Sequence, residues 1–102
     1  MKDMSIAGDR AGRNTFAIPF PDNVHTRVLT GTAKSITVPV GAAFASFSAT
    51  ADVWVNIAGT AVVASGDSDT ELSELNPGVR VVQPGQTISV NGTCTVVVTF
   101  YA

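Results

Sequence analysis

The C-terminal stretch constrains this chain most. Gln86-Thr87-Ile88-Ser89-Val90 and Cys94-Thr95-Val96-Val97-Val98-Thr99-Phe100-Tyr101 flank Asn91-Gly92-Thr93. Both arms alternate with a period of two, the pattern of strands with one buried face. Asn-Gly between two such arms is a hairpin signal. A two-residue loop would oppose Ile88 to Thr95 and mix the apolar and polar rows. An odd loop, with Gly92 in a bulge, sets Ile88 on the face of Cys94, Val96, Val98 and Phe100. The sequence therefore predicts a terminal β-hairpin with that row inward.

The rest of the chain carries the same signature. Apolar content is mostly valine and alanine, threonine is abundant, and the leucines are Leu29, Leu72 and Leu75. β-Branched residues favour strands, whereas long helices lean on leucine, so the class is all-β. A chain of 102 residues is one domain, and one of this size buries about two-thirds of its surface without covalent staples. Further strands are predicted at Arg27–Thr30, Ala33–Val38, Ala43–Ala49, Asp52–Ile57, Ala61–Ala64 and Val79–Val82, with Val53, Val55 and Ile57 on one face. Pro39-Val40-Gly41 and Pro84-Gly85 are turns, the second of type II. About eight short strands at this spacing predict an antiparallel β-sandwich, jelly-roll-like, over residues 25–102.

Residues 1–24 differ, and are expected to form an extended N-terminal arm. Lys2, Asp3, Asp9, Arg10 and Arg13 lie among glycines and small residues, followed by Phe16 to Phe20. Pro19 and Pro21 enforce an extended path. Phe16, Ile18 and Phe20 alternate, so they can lie along a sheet edge or in a neighbour's groove. A frayed terminus is the plainer alternative.

Candidate chemistry is sparse. Net charge is −2 with no basic cluster, which argues against nucleic acid, and no apolar run reaches membrane-spanning length. The start of the chain has no signal-peptide core. The single cysteine, Cys94, is expected to be a buried, inert thiol. Asp67-Ser68-Asp69-Thr70-Glu71 has the alternate carboxylates of a calcium loop but lacks its glycine and closing glutamate. A capping box explains more of it, with Ser68 as N-cap and Glu71 three residues on. It would start one helical turn carrying Leu72 and Leu75, stopped by Asn76-Pro77-Gly78. His25, the only histidine, has no partner motif for zinc or a nucleophile. No catalytic residue, cofactor or metal is expected. Trp54, among Asp52 and Asn56 on the face opposite Val53 and Val55, can stack on a sugar or anchor a protein contact. Packing under the arm or the acidic loop is the alternative.

Thr37-Val38-Pro39-Val40-Gly41-Ala42, then Phe44 to Phe47 and Ala51-Asp52-Val53-Trp54-Val55-Asn56, resemble small virion proteins of tailed bacteriophages. Glu74-Leu75-Asn76-Pro77-Gly78-Val79-Arg80 and the closing Cys94–Tyr101 strand share that resemblance, which spans roughly residues 33–102. Some small β-sandwich proteins of this kind look like capsid decoration or cement proteins. The resemblance implies a non-enzymatic structural protein of the phage head, made in the bacterial host cytoplasm, that bridges subunits of the major capsid protein. It carries over no functional residue. Arg10, Arg13, Phe16, Ile18, Phe20 and Trp54 are the expected partner contacts, and a homo-oligomer, dimer or trimer, is expected because few charges blunt the strand edges. A carbohydrate-binding module, or a tail or baseplate subunit, is the alternative.

Overall fold

The computed structural model describes residues 1–3 and 19–102. Among them are eight strands and no helix: β1 (Val24–Val28), β2 (Lys34–Thr37), β3 (Phe44–Ala49), β4 (Val53–Asn56), β5 (Glu74–Leu75), β6 (Val79–Val81), β7 (Thr87–Gly92) and β8 (Thr95–Tyr101). They form two antiparallel four-stranded sheets, β1-β8-β3-β6 and β2-β7-β4-β5. Only the β4–β5 connection stays within a sheet; every other one crosses to the opposite sheet. This is the two-Greek-key order of a jelly roll. β1 begins at Val24, one residue before the expected domain start.

The inward rows are those the alternation marks. Val96, Val98 and Phe100 of β8 face Ile88 and Val90 of β7, all fully buried. Ile36, Ala45, Val53 and Val55 complete the strand contribution, and Leu29, Val38, Ala42, Val82 and Cys94 close the ends. Each large side chain buried this way contributes about 1.5–3 kcal/mol.

The pairing differs from the expected hairpin. β7 and β8 do not pair; each is a central strand of its own sheet, β7 between β2 and β4, β8 between β1 and β3. The Asn91–Cys94 segment is an arch across the sandwich. Both arms point their apolar row at the same core, so alternation alone reads identically for an arch and a hairpin. Gly92 is held by close approach rather than by a bulge: a Cβ there would lie 2.7 Å from the Asp52 carbonyl oxygen.

Three further expectations are corrected. Ile57 lies beyond the end of β4 and is half exposed, because Asn56 Oδ1 accepts from the amides of Ala58 (2.7 Å) and Gly59 (2.9 Å) and turns the chain outward. Ala61–Ala64 is not a strand; side chains rather than a ladder take several of its backbone groups, and the two-residue β5 pairs with β4 instead. Ser68 does accept from the amides of Thr70 (3.2 Å) and Glu71 (3.0 Å), but no helical turn follows. Leu72 and Leu75 remain substantially exposed, so there is no apolar face to support one turn of helix. The proline–glycine turn holds: Gln86 N–H donates to Gln83 O (3.2 Å), with Gly85 at φ 86° as type II requires.

The sheet edges are more protected than the low charge suggests. On β1, His25 and Arg27 pair in register with the inward Val98 and Val96. His25 meets the Phe100 ring edge-on at 5.4 Å. On β6, Arg80 pairs in register with the inward Ala45. Its Nε donates to Glu74 Oε2 on β5 (3.2 Å), and the ion pair ties the edges of the two sheets together. Inward-leaning charges and very short edge strands are recognised ways to discourage edge-to-edge pairing.

Candidate functional site

The jelly roll presents two outer sheet faces, which differ in chemistry. The outer row of β7 and its neighbours is polar: Thr87, Ser89 and Asn91 of β7, Asn56 and Trp54 of β4, Ser35 of β2. Residues 57–73, between β4 and β5, form a strap across it. Ser89 Oγ accepts from Ala61 N–H (2.8 Å), and Asn91 Nδ2 donates to Ala61 O (3.1 Å). Ala61 is consequently buried. Asn56 Nδ2 donates to Glu71 Oε1 (3.2 Å) and Ser73 Oγ (3.3 Å), and Ser73 Oγ also accepts from Val62 N–H (3.0 Å). Glu71 Oε1 in turn accepts from Ser73 N–H (3.0 Å) and Oγ–H (2.8 Å). The hydroxyl and amide of Ser73, and then the Asn56 amide, hold the Glu71 carboxyl below the usual glutamate range. Asn56 and Ser89 are the buried polar residues of the domain, and both are satisfied.

The outer face of β1-β8-β3-β6 is different. The register places Val24, Thr26 and Val28 beside Thr99, Val97 and Thr95, then Ser46 and Ser48 beside Thr99 and Val97. Phe44 pairs with Val81 and Ser46 with Val79 on the other side. None of these residues is charged. Val81 is 73% exposed and Val28 57%. A shallow groove of about 230 Å³ runs along the face between Ser48, Thr50, Thr95 and Val97.

The arm meets the sandwich at one end of this face. Tyr101 Oη donates to Pro19 O (3.2 Å), Phe100 N–H to Asn23 O (3.0 Å) and Ala102 N–H to Lys2 O (2.8 Å). Asp22 Oδ1 accepts from Lys2 N–H (3.0 Å) and lies 3.5 Å from the terminal ammonium of Met1. Both described pieces of the arm are therefore clamped to the last residues of β8. Between Pro19 and Pro21, Phe20 is left 94% exposed.

Of the expected contact residues, Arg10, Arg13, Phe16 and Ile18 lie outside the described residues. Phe20 stands at the clamp, and Trp54 lies on the opposite sheet, partly buried beside the strap. It lines a hollow of about 350 Å³ with Asp52, Val63 and Thr93. The structure does not bring Phe20 and Trp54 onto one surface: one is beside β8, the other on the sheet that excludes β8. Asp67 and Asp69 sit exposed in the strap, and among the described residues no three His, Cys, Asp or Glu side chains gather at metal-binding distance. Asn56, Ser73, Ser89 and Asn91, which hold the strap, were not expected as a set. The signal for Ser89 and Asn91 is the run of hydroxyl and amide residues at alternate positions of β7, with Thr87; Asn56, at the end of β4, and Ser73, outside the strands, carry none. No protein-family model matches this chain, and comparisons with curated proteins and with solved structures give no match.

Proposed function

We propose that this chain is a non-enzymatic structural protein of a phage particle, which decorates the head by clamping onto the major capsid protein. The observation that carries the reading is the anchored arm. A phenylalanine 94% exposed, flanked by two prolines and clamped at Pro19 and Asp22, is presented rather than packed. Prolines that pre-extend a segment reduce the entropy lost when it docks. A clamped segment with an exposed anchor adds a contact beside that of the sandwich body, so one copy can touch two subunits and gain from effective concentration. The jelly roll is also used by viral capsid domains, although it hosts lectins as well, so the fold supports the reading only by analogy. The head, rather than tail or baseplate, rests on the sequence resemblance over residues 33–102.

Co-sedimentation with undecorated particles tests this. Full-length protein is expected to pellet with the particles. A variant lacking residues 1–21 is expected to fold, by its thermal melt, and to pellet less; Phe20→Ser is expected to fall between them. Equal pelleting of all three overturns the arm as the contact. Binding to a glycan array through Trp54, with no pelleting, overturns the capsid reading altogether.

A further inference from the structure

We propose that the outer face of the β1-β8-β3-β6 sheet is the seat of a second copy of this chain, packed face to face about a two-fold axis. Among the described residues the arm touches this face at its Tyr101 end, and the test below reads the face apart from particle binding.

Three observations select a second copy. The first is charge. Val24, Val28, Phe44, Val79, Val81 and Val97 carry the apolar area, and the residues between them are threonines and serines. At an isologous interface each group meets the same surface patch, so a charge near the axis would face its like. A hydroxyl both donates and accepts, so it can pair with its own symmetry mate. A face of valines and hydroxyls is self-complementary in a way that a charged face is not.

The second is which routes are closed. On the opposite outer face the β7–β4 part is already covered by residues 57–73, fixed through Asn56, Ser89 and Asn91, which leaves only a narrow polar strip at Ser35, Thr37 and Thr87 exposed. The edges carry inward-leaning His25, Arg27 and Arg80, and β5 is two residues long. Edge-to-edge sheet extension is thus disfavoured. Stacking of sheets, at the spacing of about 10 Å found inside sandwiches, remains open.

The third is area. Strands of five, seven, six and three residues, with a rise of about 3.4 Å per residue and a spacing of about 4.8 Å, give a face near 340 Å². Two copies then bury about 700 Å² in projection, and more once side-chain relief is counted, which falls below the ~1,000 Å² of stable specific interfaces and in the range of weak, transient ones. The dimer is therefore weak and concentration-dependent rather than obligate.

Sedimentation equilibrium from about 10 µM to 1 mM reads it directly, spanning the range of a weak complex. The wild-type mass is expected to rise from 10.5 kDa towards twice that value. Val28→Glu and Val81→Glu, on opposite edge strands, are each expected to stay at monomer mass with melting temperatures near wild type. A dilution series followed by amide NMR needs no variant: shifts are expected at Thr26, Ser48 and Val97 and not at Ser35 or Thr87. A monomer at every concentration, a dimer indifferent to both substitutions, or shifts confined to the strap face overturns the proposal. Particle pelleting of the two Glu variants is scored separately; it reports on the arm contact, not on this face.

Discussion

The two outer faces of this sandwich are built on the same backbone and have opposite fates. Over β2-β7-β4-β5 the outward row is mostly amide and hydroxyl, and the chain's own residues 57–73 bond Asn56, Ser89 and the Asn91 amide N–H, leaving the buried Asn91 Oδ1 without a partner. Over β1-β8-β3-β6 the outward row is valine, threonine and serine, and no strand-to-strand connection is laid across it with comparable hydrogen bonding among the described residues. The difference teaches where specificity comes from. A polar row with fixed donors and acceptors determines one covering segment, because any other would leave buried groups unpaired. An apolar row demands only shape and absence of charge. Among the described residues, the first face is largely covered from within the molecule and the second has no such strap.

The largest effects belong to what the faces share, the rows between the sheets. Val96→Asp and Val90→Asp, one on each central strand, are expected to abolish folding. Both positions are fully buried, and an unpaired carboxylate there costs several kcal/mol, the order of the whole stability of a small domain. Thr95→Asp, one residue from Val96 but on the bare face, is expected to fold with a small loss. Equal thermal melts for Val96→Asp and Thr95→Asp would break the inside–outside assignment itself.

Next come the polar residues that distinguish the faces. Asn56→Ala removes four hydrogen bonds at once, to Ala58, Gly59, Glu71 and Ser73. The expected loss is about 1–3 kcal/mol, with faster proteolysis inside residues 57–73. Ser48→Ala on the bare face is expected to change stability by less than about 0.5 kcal/mol. Chemical denaturation with limited proteolysis separates them, and equal values would mean that the strap is not fixed by the sheet.

How far the sequence revealed this depends on which physical signal each element sends. The eight-strand sandwich was legible because inward alternation survives any topology: Ile88, Val90, Val96, Val98 and Phe100 are all buried, as their spacing demands. The pairing of β7 with β8 was misread because Asn91-Gly92 is as compatible with an arch as with a hairpin. A finer signal was present in the outward rows. Thr87, Ser89 and Asn91 are uniformly polar, whereas Thr95, Val97, Thr99 and Tyr101 are mixed and bulky, so the two strands suit different faces. The strap was hidden because Val62 and Val63 imitate a strand, while the groups that hold this stretch are remote in sequence: Ser89 and Asn91 lie 28 and 30 residues beyond Ala61. Glu71 resembled the closing residue of a capping box, but the structure uses it to fasten Ser73 and Asn56.

Glu71 also supplies the smallest effect, and the one that addresses the polar face alone. Hydrogen bonds from Ser73 and Asn56 favour its charged form, so its pKa in the folded protein lies below the unfolded glutamate value of about 4.3. A depressed folded pKa stabilises the folded state above the unfolded pKa, and that contribution is lost as pH falls through the folded pKa. The carboxylate is solvent-exposed, so the consequence is local rather than global. Acidification through and below the ordinary glutamate range should therefore loosen the strap before the sandwich. Hydrogen exchange at the Val62 amide, which donates to Ser73 Oγ, is the place to see it. After correction for intrinsic rates, its protection should fall with pH while that of Val98, in the buried row of β8, holds. Glu74 titrates in the same direction because Arg80 lowers it, by hydrogen bond first and then by charge, but its pair joins β5 to β6 rather than strap to sheet. Glu71→Gln should abolish the pH dependence at Val62 and leave the Glu74–Arg80 contribution in place. If Val62 protection is unchanged by acid, or if Glu71→Gln leaves its pH dependence intact, Glu71 does not hold the strap, and the closure of the polar face rests on Asn56, Ser89 and Asn91 alone.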